Sequence, residues 1–195
     1  YFIGNKESTF ENDFYSIGYD GTELKLLTPE AGSHSISLTG AKTHFFDTFS
    51  SLQKPKVILL KELDSGRVIR TLAKTDLQQF EDFLWKSPKI IKFASLDSSL
   101  ILDGLLLLPT DYDPNKKYPL IVHGYGMPGT QIVWNKWGSL WSQYLSQQGY
   151  IVFSMDSRGM GGRGENFKNF SYSDMGKYLT VDHAAGVKHL IDQGY

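Results

Sequence analysis

The 195-residue sequence contains no cysteine, which excludes a disulfide framework, thiolate catalysis and any cysteine-ligated zinc or iron–sulfur centre. The compartment stays open, because secreted chains of this size also fold without disulfides. Neither charge sign is in excess: 20 Lys+Arg stand against 21 Asp+Glu, so no long-range field would recruit nucleic acid or an anionic membrane. No apolar run approaches the roughly 18 residues of a membrane-spanning helix; the longest, Leu105 to Leu108, stops at Pro109 and is strand-sized. The sequence does not open on Met, and Tyr1-Phe2-Ile3-Gly4 reads as a strand already under way, which leaves a signal peptide upstream open. What is present is 41% hydrophobic residues, enough for a buried core.

Up to about residue 75 the chain alternates short β-type runs with turn residues. Asp13 to Tyr19 returns through Asp20-Gly21 into Thr22 to Leu27, which predicts a hairpin. His34 to Leu38 and His44 to Phe49 pair across Thr39-Gly40-Ala41, and Lys56 to Leu63 and Arg67 to Leu72 pair across Asp64-Ser65-Gly66. Three successive hairpins make a meander; periodicity alone leaves a sandwich and about one and a half propeller blades as alternatives.

Between Asp76 and Trp85 the period changes. Leu77, Phe80 and Phe83-Leu84 fall at helical spacing and predict a short connecting helix. Lys89 to Ala94, Leu100 to Leu108, Leu120 to Val122 and Ile151 to Met155 read as strands, the last two as continuous apolar runs. A helix with Trp134, Trp137, Trp141, Tyr144 and Leu145 on one face, stopped by Gly149, is expected between the last two. We weigh the tryptophan stripe as core packing against a sheet rather than a ligand platform. A second helix carries Val181, Ala184, Val187 and Ile191 and stops at Gly194. Gln148-Gly149-Tyr150 opens a strand while Gln193-Gly194-Tyr195 opens none, so the alternation reads as cut mid-sheet.

A strand after such a helix is where an α/β-hydrolase carries its G-x-S-x-G nucleophile elbow. No G-x-S-x-G occurs, and all five histidines precede the position expected for the serine. The segment by itself is expected to be inactive. The run from Lys116-Lys117-Tyr118-Pro119 through His123-Gly124-Tyr125-Gly126-Met127-Pro128-Gly129, followed by Gly149-Tyr150 and Asp156-Ser157-Arg158-Gly159, resembles the start of the catalytic domain of the prolyl oligopeptidase family, in its dipeptidyl peptidase IV branch. Asn12-Asp13-Phe14-Tyr15, Leu27-Thr28-Pro29 and Phe46 to Ser51 resemble the last propeller blades of that branch. Ser98-Ser99 stands where the family tends to have Asp-Gly, and Thr39-Gly40-Ala41 where a propeller turn often reads Pro-Asp-Gly.

The resemblance implies a mixed fold: terminal blades of a β-propeller over about 1–87, then the N-terminal half of an α/β-hydrolase domain over about 88–195. It implies a serine exopeptidase releasing dipeptides after Pro or Ala through an acyl-enzyme. Tyr125 takes the position whose hydroxyl serves the oxyanion hole, with Gly124 and Gly126 letting the backbone turn around it. The reading from the residues alone is an aromatic capping a strand. The implied partner is a peptide substrate, with no cofactor, no metal, no nucleic acid and no membrane contact from this segment; a homodimer would form through parts outside it. Periplasmic or secreted placement is favoured, and the glutamates that anchor a substrate amino terminus lie outside the segment. An acylaminoacyl- or tripeptidyl-releasing peptidase is the alternative within the family.

From other classes, a propeller that only binds partners would need a non-parallel arrangement after Leu100, and Gly159 to Gly164 formally satisfies the G-x-G-x-x-G of a dinucleotide site. We discount the latter, because Glu165 to Ser173 reads as loop rather than as the helix that cradles a pyrophosphate. The glycines read as a flexible loop with Arg158 packed or ion-paired beneath it, a structural role shared with Gly159. Asp182-His183 are helical neighbours about 100° apart and form no dyad. His183 and His189 suit no helical metal pair and read as solvated surface residues.

Overall fold

The computed structural model describes residues 1–80, 84–172, 174 and 176–195. They form two compact units: Tyr1–Gln79 with Trp134–Trp137, and Phe80–Val133 with Gly138–Tyr195.

The first unit is all β. Strands β1 (Phe2–Gly4), β2 (Asp13–Ser16) and β3 (Lys25–Leu26) make a small antiparallel sheet. The first hairpin is shorter than its alternation predicts. Residues 17 to 24 leave the sheet for a turn in which Gly18 donates to the Thr22 carbonyl and Asp20 accepts from Thr22. Strands β4 (Ser33–Leu38), β5 (His44–Ser50), β6 (Val57–Glu62) and β7 (Val68–Lys74) form the expected meander, each paired antiparallel with the next. Phe14, Leu27, Phe45 and Leu63 make its core, with Phe14 edge-on to Phe45.

Beneath that core lies a charged cluster. His34 Nδ1 stands 2.9 Å from the Asp47 carboxylate and its Nε2 2.9 Å from the Glu30 carbonyl oxygen. Lys61 reaches Asp47 at 3.0 Å and Glu30 at 3.1 Å. Both ring nitrogens of His34 therefore face acceptors, which favours the doubly protonated ring. Burial alone would lower the His34 pKa, and Lys61 opposes its charge. The hydrogen bond and charge of Asp47, with the Glu30 carbonyl, outweigh both and hold it above the usual histidine value.

Among the described residues a 3-10 turn, Leu77–Phe80, stands at the start of the expected connecting helix; residues 81–83, Phe83 among them, lie outside the described residues. The second unit follows. Strands β8 (Lys89–Ala94), β9 (Ile101–Leu107), β10 (Leu120–Val122) and β11 (Ile151–Asp156) form one sheet in the order β10-β11-β9-β8. Only β10 and β11 are parallel; β11–β9 and β9–β8 are antiparallel. Helix α1 (Leu140–Gln147) joins the parallel pair, and α2 (Gly164–Lys168) and α3 (Lys177–Asp192) follow β11. The central strand β11 is buried on both faces: Phe153 and Met155 pack with Ala185 and Leu190 of α3, whereas Val152 packs with Leu145 of α1. That two-sided burial is why it reads as an unbroken apolar run.

Three expectations change. Trp134 and Trp137 are not helical: α1 begins at Leu140, and Trp141 is 61% exposed, stacked on Tyr144. The tryptophan stripe is therefore not the core face. Asn135 instead binds within the first unit, its N–H to the Phe10 carbonyl and its side-chain oxygen accepting from Leu52. The inner face of α1 is largely polar. Gln143 exchanges two hydrogen bonds with the Lys86 backbone, and Ser146 donates to the Leu108 carbonyl.

Helix α3 buries Asp182, Ala185, Gly186 and Leu190, one residue round from the expected face, while Ala184 and Ile191 are exposed. His183 and His189 are half-buried rather than solvated, and His189 stacks on Phe93 at 5.6 Å. The Gly149 and Gly194 stops stand as expected, each at positive φ just past its helix.

Candidate functional site

The carboxyl end of β10 builds the site. The parallel ladder extends one residue beyond Val122, where His123 donates its N–H to the Phe153 carbonyl at 2.8 Å, and the chain then leaves the sheet through Gly124-Tyr125-Gly126. Tyr125 is 46% exposed at the wall of a cavity of about 360 Å³ lined by Val122, Gly124, Gly126, Leu179, Thr180 and His183. Its hydroxyl donates to Met127 Sδ at 3.1 Å. A thioether is a weak acceptor, so the phenolic proton is available to any oxygen that gains charge nearby.

The flanking glycines serve a purpose other than a sharp turn. Neither takes a positive φ. A Cβ at Gly124 would lie 2.6 Å from His183 Nε2, and one at Gly126 2.6 Å from both methyls of Leu179. They are glycines because the turn presses on α3.

The far end of the same loop is fastened to the end of β11. Asp156, almost wholly buried, accepts the backbone N–H of Ile132 at 2.8 Å and that of Val133 at 3.3 Å. Burial pushes its pKa up to about 6, opposed by those two donors. Two residues on, Arg158 is 4% exposed. Its guanidinium meets the Asp182 carboxylate at 2.6 Å through Nη2 and 3.0 Å through Nε, while Nη1 reaches Asp97 at 2.7 Å. Tyr178 covers the guanidinium face at 4.5 Å. Asp97 also accepts from Ser95 and Ser99, and these bonds with the Arg158 contact hold its carboxyl well below the usual range. Gly159 takes φ 96°, and a Cβ there would stand 2.7 Å from the Ser171 Cβ.

The first half of the glycine loop has no amides to offer a dinucleotide: Gly159 donates to the Phe167 carbonyl, Met160 to that of Ser157 and Gly161 to that of Thr130. Residues 165 to 171, expected as loop, instead form α2 and a 3-10 turn; Ser173 lies outside the described residues. The five-residue α2 faces this packed loop. Among the described residues no three His, Asp or Glu side chains converge as a metal site, and no helix is long and apolar enough to cross a membrane.

The structure thus brings Tyr125, Gly124 and Gly126 together at the β10 end, and Arg158 and Gly159 together at the β11 end. Sequence reasoning assigns no role to Asp156 and reads His183 as a solvated surface residue. Asp156 enters only within a motif, and Asp182-His183 only as a rejected dyad. An acid closing an apolar strand run is the signal available for Asp156.

Residues 137–195 match the prolyl oligopeptidase family. Over 96% of its length the chain is 30% identical to a protein of Arthroderma gypseum named "Probable dipeptidyl-aminopeptidase B", covering 21% of that protein. It is 27% identical to dipeptidyl peptidase 4 of Trichophyton rubrum, over 98% of the chain and 26% of the relative. The crystal structure of Porphyromonas gingivalis dipeptidyl peptidase 4 superposes with a TM-score of 0.87 at 25% identity, covering 94% of this chain and 26% of that one. The chain spans about a fifth to a quarter of the length of the curated relatives it matches.

Proposed function

Since this chain belongs to the prolyl oligopeptidase family, we propose that it is part of a serine exopeptidase that releases amino-terminal dipeptides after Pro or Ala. Residues 1–87 are then terminal propeller blades and residues 88–195 the first half of the α/β-hydrolase domain. The observation that carries the reading is the placement of Tyr125, a half-exposed phenol at the carboxyl end of a parallel strand, where open α/β sheets bind their ligands. The names of the relatives, dipeptidyl-aminopeptidase B and dipeptidyl peptidase 4, agree with it.

In that mechanism a serine outside these 195 residues attacks the scissile carbonyl, and the carbonyl oxygen gains the negative charge of a tetrahedral intermediate. Tyr125 donates its hydroxyl proton to that oxygen in a hydrogen bond, alongside the backbone N–H after the nucleophile. Collapse of the intermediate expels the amine, and water releases the dipeptide from the acyl-enzyme. Arg158 and Gly159 touch no reacting atom; they hold the β11 end against α3. The partner is a peptide with a free amino terminus.

Three measurements on the full-length protein test this. A fluorophosphonate should label one serine, outside residues 1–195. Chromogenic Gly-Pro and Ala-Ala amides should be cleaved and their N-acetylated forms refused; preference for acetylated or tripeptide amides would give the activity to the other releasing types of the family. Tyr125→Phe should lower kcat by about 10²–10³-fold, the loss on removing one oxyanion donor. Unchanged kcat in a folded variant would return Tyr125 to strand capping.

A further inference from the structure

Helix α3 places a histidine against the turn that carries Tyr125. The Nδ1 of His183 stands 2.7 Å from the Leu179 carbonyl oxygen. A carbonyl can only accept, so the neutral ring carries its proton on Nδ1 and a lone pair on Nε2. That Nε2 is sealed from solvent and has no hydrogen-bond partner among the described residues. It faces Gly124 so closely that a Cβ there would lie 2.6 Å from it. His183 also lines the cavity that Tyr125 borders. Leaving a buried acceptor unmatched is costly, and such a group calls for a specific reason.

Its neighbour Asp182 points away, to Arg158. One helical step thus fixes the end of β11 through Asp182 and supports the turn after β10 through His183. The Arg158 pair sets the rotation of α3 about its axis, and with it the height of the imidazole under Gly124.

We propose that His183 is a positioning residue for Tyr125. Its imidazole is the floor of the 124–126 turn, and its free Nε2 is the acceptor that locks a backbone N–H of that turn when the site closes on substrate. The proposal rests on the oxyanion role of Tyr125 and acts wholly through it.

The test is a double-mutant cycle in the full-length enzyme, reading kcat and KM on a Gly-Pro chromogenic amide. His183→Ala should lower kcat about 10- to 100-fold, the range in which a small misplacement of a catalytic group falls, with KM within about twofold. In the Tyr125→Phe background the same substitution should change kcat by less than about twofold, because there is no hydroxyl left to misplace. Gln carries an amide oxygen at the reach of Nε2 and Asn at the reach of Nδ1, so His183→Gln should keep most of kcat and His183→Asn should lose it. If His183→Ala does not fold, that pair decides the matter. Equal kcat for Gln and Asn, or an additive loss in the Tyr125→Phe background, overturns the positioning role while leaving the oxyanion reading standing. Tyr125→Phe at wild-type kcat overturns both.

Discussion

Ile132 donates its backbone N–H to Asp156 Oδ1 over 2.8 Å, and this bond fastens the loop that begins with Tyr125 to the end of the neighbouring strand. The carboxylate that accepts it sits in a place that resists its charge. Asp156 titrates at about 6, above its ordinary 3.8, so the folded state binds a proton that the unfolded chain releases over that interval.

The sign follows from the raised value. Ionised Asp156 costs stability at neutral pH, and the cost is relieved as pH falls from about 7 through about 6 to about 4. Wild-type protein should therefore gain stability relative to Asp156→Asn across that interval, by about 2 kcal/mol. Urea unfolding of both proteins at several pH values checks this; parallel curves would remove the claim.

His34 has the same sign at higher pH. Its folded pKa is raised, so its contribution is complete below its ordinary 6.5 and disappears as pH rises through the folded value. Asp47, Lys61, Glu30 and Asp13 are the charged groups that act on it or on its partners. As pH rises from its ordinary 6.5 through the raised folded value, the wild type should lose stability relative to His34→Gln. Thermal unfolding of the two proteins, followed in parallel, gives the difference.

Arg158→Ala leaves Asp182 buried without a counter-charge, with only the backbone N–H of residue 158 as donor among the described residues, and a loss of about 3–5 kcal/mol is expected. Arg158→Lys should rescue little of it, because one ammonium cannot span Asp182 and Asp97 as the planar fork does. Arg158→Met combined with Asp182→Leu should recover only part of the loss, since the apolar pair needs no partner but the backbone N–H of residue 158 loses its Asp182 acceptor. A double variant no more stable than Arg158→Ala would show that the pair does more than neutralise itself.

Gly159→Ala meets two obstacles at once: a backbone at φ 96° and the Ser171 Cβ at 2.7 Å. A destabilisation of about 1–3 kcal/mol is expected, visible as a lower Tm, with KM for peptide amides unchanged because the residue touches no substrate. A rise in KM without loss of Tm would place Gly159 in the binding site instead.

The β meander and the strands of the second unit were legible because their alternation or apolar runs depend on burial that a strand's own residues announce. The inner faces of the two long helices were not. The α1 interior is held by Gln143 and Ser146 bonding to backbone groups of Lys86 and Leu108, and hydrophobic spacing is blind to polar residues buried for their hydrogen bonds. Trp134 and Trp137 had helical spacing, yet Asn135 ties that stretch to Phe10 and Leu52. Tyr125 could be picked out by its motif; His183 beneath it could not.

The sequence by itself determined the strands, the helix stops at Gly149 and Gly194, and the chemistry present: phenol, guanidinium and carboxylates without a thiol or a serine elbow. Those follow from local backbone preference and from residue type. Only the tertiary structure decided that Asp182 would bind Arg158 while His183 faced Gly124, because the rotation of α3 is set by contacts with residues dozens of positions away. An ion pair and a close approach of that kind depend on distances in space, which spacing along the chain does not encode.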